Sequence, residues 1–177
     1  MSLPIVIGAT SFLGHELIKT IECDICNVRF ESAQEDWLNF ANNKPATGHV
    51  ILLSRSCRKT VPRRTRSTML NEVSGISKIL TAFPERHFIF ASTKVIYGIV
   101  DEIRTITRKE IVEYFSMTLS GQFINTIVNL PEQDSNSKSI DDLSLDHQIY
   151  AHTKLCNESL IKYCAKSYTI FRIWDII

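Results

Sequence analysis

Residues 4–17 read PIVIGATSFLGHEL: an apolar run, a glycine, a short turn, and a second glycine at the head of a polar–apolar pattern. The apolar run has the look of a short buried strand ended by Gly8. Behind it Leu13, Leu17, Ile18 and Ile21 recur at helical spacing. A strand that turns directly into a helix on glycines brings backbone N–H groups and the positive end of the helix to one spot, the arrangement that cradles a pyrophosphate. Thr10, Ser11, Phe12 and Leu13 lie between Gly8 and Gly14, and all six are candidate dinucleotide contacts. Gly8 supplies the tight turn and Gly14 allows the helix close to the sheet. Ser11 stands where a middle glycine is expected. Its hydroxymethyl either crowds the phosphate or donates to it.

Working outward, strands are expected at residues 26–32 (CNVRFES), 49–54 (HVILLS), 87–92 (HFIFAS), 122–130 (QFINTIVNL) and 168–177 (YTIFRIWDII). Helices are expected at 32–43, where Ser32 and Glu35 have capping-box spacing, and at 68–83, 108–121 and 150–167. Strand and helix alternate, which calls for an α/β fold: a Rossmann-like, doubly wound parallel sheet with helices on both faces. A length of 177 residues suits a single domain, 1–177, with an irregular insertion at about 99–145.

Composition narrows the function classes. A net charge of +1 disfavours nucleic acid or an anionic membrane as the main partner. No apolar run approaches the roughly 20 residues that span a bilayer, and the N-terminus has no basic, cleavable leader pattern, so a cytoplasmic protein is expected. Five cysteines, an odd number, fit a reducing compartment. Cys23 and Cys26 form a C-x-x-C read as two semi-buried thiols. Neither the cysteines nor His15, His49, His87, His147 and His152 have metal-ligand spacing, so no metal is expected.

Three further features carry chemistry. Glu31 ends the expected second strand about 20 residues beyond the turn, where a carboxylate takes ribose hydroxyls. Arg29, two residues earlier, points instead to a 2′-phosphate, so the cofactor is NAD or NADP, with NAD slightly favoured. Tyr150 and Lys154 form a Tyr-x-x-x-Lys on a helix, where i and i+4 share a face. A cation beside the phenol favours phenolate and makes Tyr150 a candidate acid/base. Ser92 and Thr93 end a strand, and strand ends in such sheets open onto the ligand crevice.

Taken in order, these segments resemble the extended short-chain dehydrogenase/reductase family, the nucleotide-sugar epimerases, dehydratases and reductases. GATSFLG (8–14) is similar to its GATGFLG turn, HVILLSRS (49–56) to its VIHLAA strand, and NEVSGISKIL (71–80) to its N-V-x-G-T helix, with Asn71 taken as the asparagine. FIFASTKVIYG (88–98) is similar to its SS-x-x-VYG segment, YAHTKLCNESL (150–160) to its Y-x-x-S-K-x-x-x-E helix, and FRIWDI (171–176) to its LR-x-x-N-V strand. The resemblance implies that Tyr150, Lys154 and Thr93, with Ser92 as neighbour, are catalytic, and that Lys154 also binds the nicotinamide ribose. It implies cofactor contacts at Ser54, Arg55 and Asn71, and substrate contacts at Thr93 and Asp175. The implied substrate is a nucleotide-linked sugar, in polysaccharide biosynthesis, and the implied assembly a homodimer through the Tyr150 helix, where Leu155, Leu160, Ile161 and Tyr163 offer apolar contacts.

The sequence also departs from that pattern. Ser54 and Arg55 replace two small residues, and Arg55 is large enough either to intrude on the cofactor or to reach a phosphate. Arg58, Lys59, Arg63, Arg64 and Arg66 form a basic cluster suited to a diphosphate or simply to solvent. Only about 35 residues separate Gly14 from His49, too few for the family's third strand. The chain stops at WDII, before the family's C-terminal substrate domain, as a fragment or an abbreviated member would. Two readings follow: an NAD(P)-dependent oxidoreductase, epimerase or dehydratase, or a non-catalytic dinucleotide-sensing or partner-binding member with a degenerate site. A reductase of unrelated small carbonyl compounds is a third.

Overall fold

The computed structural model describes residues 2–53, 66–97, 105–130 and 139–173. Ser54, Arg55, Arg58, Lys59, Arg63, Arg64, Gly98 and Asp175 lie outside the described residues. Among the described residues six strands form one wholly parallel sheet: β1 (Ile5–Ile7), β2 (Asp24–Cys26), β3 (His49–Leu52), β4 (His87–Thr93), β5 (Thr126–Leu130) and β6 (Ser167–Ile173), in the order β2-β1-β3-β4-β6-β5. The helices are α1 (Phe12–Thr20), α2 (Gln34–Asn42), α3 (Arg66–Ala82), α4 (Arg108–Leu119) and α5 (Leu145–Cys164). This is the Rossmann-like α/β architecture that the strand–helix alternation predicts.

Two apolar layers hold the sheet. On one face Trp37 of α2, Ile76 and Ile79 of α3 and Ile161 of α5 pack on Ile5, Val50, Phe88 and Ile170. On the other, Leu13 and Leu17 of α1 and Ile111 and Phe115 of α4 pack on Val6, Ile51, Ile89 and Phe171. Neighbouring strand residues fall in opposite layers, so strands buried on both faces read as continuous apolar runs rather than as alternation. Leu160 and Ile161 of the proposed dimer face belong to or pack on the first layer, while Tyr163 is exposed.

The crossovers divide the chain. The β1–α1–β2, β2–α2–β3 and β3–α3–β4 connections share one hand, with α1 on one face for the leftward step and α2 and α3 on the other for the rightward steps. The step from β4 outward past β6 to β5 runs through α4 on the α1 face, and the return to β6 runs through α5 on the α3 face. Both have the opposite hand, against a strong preference for right-handed crossovers. Joined directly, β4, α5 and β6 would make a unit of the same hand as the first three. The ladder between β4 and β6, paired from His87–Ser167 to Thr93–Ile173, is the longest in the sheet.

Several element boundaries differ from expectation, among them the start of α5, which is Leu145 and not Tyr150. β2 is only Asp24–Cys26, and Arg29 and Glu31 lie in the turn beyond it, closed by Arg29 N–H donating to Ser32 Oγ at 3.3 Å. The cap of α2 moves one residue on: Ala33 is the N-cap and its N–H donates to Asp36 Oδ2 at 3.2 Å, so Ser32 and Glu35 do not form the box. β5 starts at Thr126 because Phe123 and Asn125 have φ of 59° and 53°, left-handed backbone that no strand contains.

Cys23 packs against one layer and Cys26 lies in the other, so the C-x-x-C straddles the sheet. Burial raises both thiols, Cys26 to about 11, which keeps them in the unreactive protonated form. Among the described residues, no group of three or more His, Cys, Asp or Glu is placed to hold a metal ion, and no helix is long and apolar enough to cross a membrane.

Candidate functional site

Because every strand is parallel, β1, β3, β4 and β6 all end at one edge, where the ligand crevice of such sheets opens. The glycine turn stands there. Gly8 has φ of 93°, a conformation that side-chain-bearing residues rarely adopt, and Ser11 N–H donates to Gly8 O at 2.9 Å to close the turn. A Cβ at Gly14 would lie 2.3 Å from Gly8 O and 2.7 Å from Ala9 O, so helix and turn meet closely only because position 14 is bare.

Ser11 neither crowds the turn nor strains it. Its φ of −72° and ψ of 164° are ordinary extended backbone, and its Oγ accepts from Gly14 N–H at 3.0 Å as the N-cap of α1. The cap uses the third amide of the helix. The Phe12 and Leu13 amides are the remaining first-turn donors that helix geometry leaves without an acceptor. No acidic residue stands in that turn. The Phe12 ring is half exposed and the Arg108 guanidinium stacks on it, 3.9 Å from the ring centre. Thr10 is exposed beside it. Arg29 and Glu31 are both exposed in the turn after β2.

The second half of the site is on α5, which packs across α3, β4 and β6. Tyr150 and Lys154 share a face as their spacing requires, with Lys154 Nζ 5.8 Å from the centre of the Tyr150 ring and 4.9 Å from that of Phe90. Lys154 is buried, and its Nζ donates to Glu72 Oε1 at 3.1 Å. Asn157 Nδ2 donates to the same oxygen at 2.9 Å, while Asn157 Oδ1 finds no partner among the described residues. Asn71, expected to face the cofactor, is exposed; its neighbour Glu72 is the buried residue.

Ser92 and Thr93 part company. The Ser92 hydroxyl donates to Glu158 Oε1, whose carboxylate holds the Arg172 guanidinium through Nε at 3.2 Å and through the Nη2–Oε2 bond at 2.6 Å. Arg172 in turn donates to Tyr97 Oη, and Tyr97 to Asn129 Oδ1 at 3.1 Å. Burial alone would lower the guanidinium's pKa, but Glu158 and Tyr97 outweigh it and raise it. This chain of bonds ties the ends of β4, β5 and β6 to α5. Thr93 ends β4 with its Oγ1 accepting from Val95 N–H at 3.2 Å, at the entry to the 3₁₀ turn Lys94–Tyr97. Lys94 is buried there, and burial lowers its pKa.

The helical spacing correctly put Tyr150 and Lys154 on one face, while Glu72, Asn157 and the Glu158–Arg172 pair were not singled out. Signals were present: the glutamate of Y-x-x-S-K-x-x-x-E falls on Glu158 and the arginine of LR-x-x-N-V on Arg172. Counting N-V-x-G back from Gly75 lands on Glu72 and not on Asn71. Gly75 fixes that register, since a Cβ there would lie 2.3 Å from Phe30 Cδ1.

The fold is shared with UDP-glucose 4-epimerase. One such structure superposes with a TM-score of 0.58 at 16% identity over 96% of this chain. RMD from Pseudomonas aeruginosa, solved with NADPH, superposes at 0.53 with 18% identity over 97%. A dTDP-4-dehydrorhamnose reductase from Clostridium acetobutylicum superposes at 0.50 with 16% identity over 96%. The chain spans about half the length of each, 50%, 52% and 52% in that order. No family model matches the sequence, and no curated protein matches it.

Proposed function

We propose that this chain binds NAD or NADP at the glycine turn and takes part in hydride-transfer chemistry on a nucleotide-linked sugar. The observation that carries the reading is the convergence of a capped, unstrained phosphate turn and a paired Tyr150–Lys154 on elements that meet at the same sheet edge. The turn fits a dinucleotide: a bare Gly14, a positive helix end and the Phe12 and Leu13 amides suit a pyrophosphate. Bound there, the nicotinamide would supply the hydride donor or acceptor. Lys154 would hold a ribose hydroxyl, Tyr150 would move the proton on the substrate oxygen, and Thr93 would steady that oxygen. Ser92 is committed to Glu158 and serves the scaffold. The exposed Glu31 would take the adenosine ribose, favouring NAD over a 2′-phosphate.

In the same reading the chain is one domain in which α4 and β5 are an addition to a β4–α5–β6 unit, as the reversed crossovers suggest. A homodimer through α5 would form around exposed Tyr163.

The test is titration of the purified chain with NADH and NADPH, followed by oxidation of each at 340 nm with dTDP-4-dehydrorhamnose as the first probe. Binding with micromolar affinity is expected, retained in Tyr150→Phe while turnover is lost. A folded chain that binds neither nucleotide at millimolar concentration overturns the reading. The second reading, a non-catalytic dinucleotide sensor, is favoured by one observation: Lys154 is already held by Glu72. It predicts binding without turnover on any nucleotide sugar.

A further inference from the structure

Buried charges on this sheet mostly have structural explanations. Arg86 donates to the carbonyls of His49 and Pro45, and Glu158 and Arg172 brace three strand ends. The Glu72–Lys154 pair is different, because it braces a functional residue. Glu72 comes from α3 and Lys154 from α5, and the side chains keep only 5% and 4% of their exposure. Phe90 and Tyr150 wall the ammonium, and Asn157 adds a second donor to Glu72 Oε1.

We propose that Glu72 is a positioning residue that competes with the cofactor for Lys154, so that this carboxylate sets how tightly the site takes a dinucleotide. The inference rests on the cofactor reading above. A ribose hydroxyl that accepts from another N–H of Lys154 draws the ammonium against a charge-assisted bond made in a dry, low-dielectric setting, and such bonds are stronger than neutral ones. A ribose hydroxyl is a neutral acceptor and starts at a disadvantage against a carboxylate. Replacing the carboxylate by an amide of the same shape keeps an acceptor for Lys154 and Asn157 but removes the charge. Lys154 then exchanges a neutral acceptor for a neutral acceptor when the ribose arrives.

The experiment is fluorescence and calorimetric titration of NADH and NADPH into wild type, Glu72→Gln, Lys154→Met and the double variant. Glu72→Gln is expected to bind at least tenfold more tightly than wild type. Lys154→Met is expected to bind more weakly, and Glu72→Gln is expected to bring no gain on the Lys154→Met background. A purely structural role for Glu72 would lower the melting temperature and leave that affinity pattern flat. Unchanged or weaker binding by folded Glu72→Gln overturns the proposal while leaving the cofactor reading intact. No binding by any folded variant overturns the cofactor reading and this inference with it. Should Glu72→Gln fail to fold around an uncompensated ammonium, Glu72→Asp keeps the charge and withdraws it by one methylene. That variant is expected to bind two- to threefold more tightly, and equal or weaker binding overturns the proposal.

Discussion

At the C-terminal edge of the sheet, two cations are held by buried carboxylates: Lys154 by Glu72, and Arg172 by Glu158. At the opposite end, between the starts of β3 and β4, a buried arginine and two half-buried histidines stand where carbonyls and hydroxyls are the partners. Arg86 is wholly buried, and its Nη1 and Nη2 donate to the carbonyls of His49 and Pro45 at 3.1 and 2.6 Å. Beside it His49 and His87 meet edge to face at 5.4 Å, and His87 contacts the Ser167 and Thr169 hydroxyls at 2.8 and 2.9 Å. Burial, and then the neighbouring His49, lower His87 to about 4, so it is neutral at physiological pH. The contrast separates two uses of buried polarity. Carbonyl acceptors fix a loop permanently, because the backbone cannot leave. A side-chain counter-ion can let go, so the paired edge can hand a charge to a ligand and the carbonyl-capped end cannot.

The largest effect should come from breaking a pair. Glu158→Ala strips Arg172 of its carboxylate and Ser92 of its acceptor at once, leaving a guanidinium largely buried. A loss of about 3–5 kcal/mol in urea denaturation is expected, the usual cost of orphaning one partner of a buried pair. Replacing both charges, as in Glu158→Leu with Arg172→Met, should recover most of it. If the single variant costs under 1 kcal/mol, the strand-end bracing assigned here is wrong.

The histidine end should respond to pH. An unfolded histidine titrates near 6.5, whereas folded His87 does so only near 4. Between these values the unfolded state binds more protons, so stability is present above pH 6.5 and is lost as pH falls through the window. His87→Gln keeps donor and acceptor but does not titrate. The variant should show a shallower fall in stability between pH 7 and pH 5, the difference on the order of 1–2 kcal/mol after allowance for partial exposure. Parallel pH profiles for the two proteins would remove His87 as the cause.

The same contrast explains what could be read in advance. The glycine turn and Tyr-x-x-x-Lys are local patterns, complete within a few residues, and periodicity places their elements well. Glu72 and Arg172 owe their roles to partners 82 and 14 residues away. In NEVSGI the glycine register singles out Glu72 as a position but does not mark it as buried, since the cost of burying it is offset by an ammonium on another helix. β2 was read too late and too long, sharing only Cys26 with the observed strand, for a related reason. Phe30 looks like a strand residue, but its burial comes from packing on Gly75 in a turn. β5 was the reverse case: Phe123 and Asn125 carry a sound β pattern, and left-handed backbone excludes them.

Ser11 is where the smallest effect is the informative one. Its side chain is a helix cap with no strain behind it, so Ser11→Gly should cost only a few tenths of a kcal/mol, as serine-to-glycine caps do, whereas Ser11→Ala should cost about 0.5–2 kcal/mol. Dinucleotide affinity should change less than threefold in Ser11→Gly, because the hydroxyl turns back to Gly14 and leaves the Phe12 and Leu13 amides to the phosphate. Thermal denaturation and NADH titration of the two variants read both quantities. A tenfold gain in affinity on removing the hydroxymethyl would mean that Ser11 does obstruct the phosphate. The paired edge would then carry two brakes on the same ligand, one at each end of the dinucleotide.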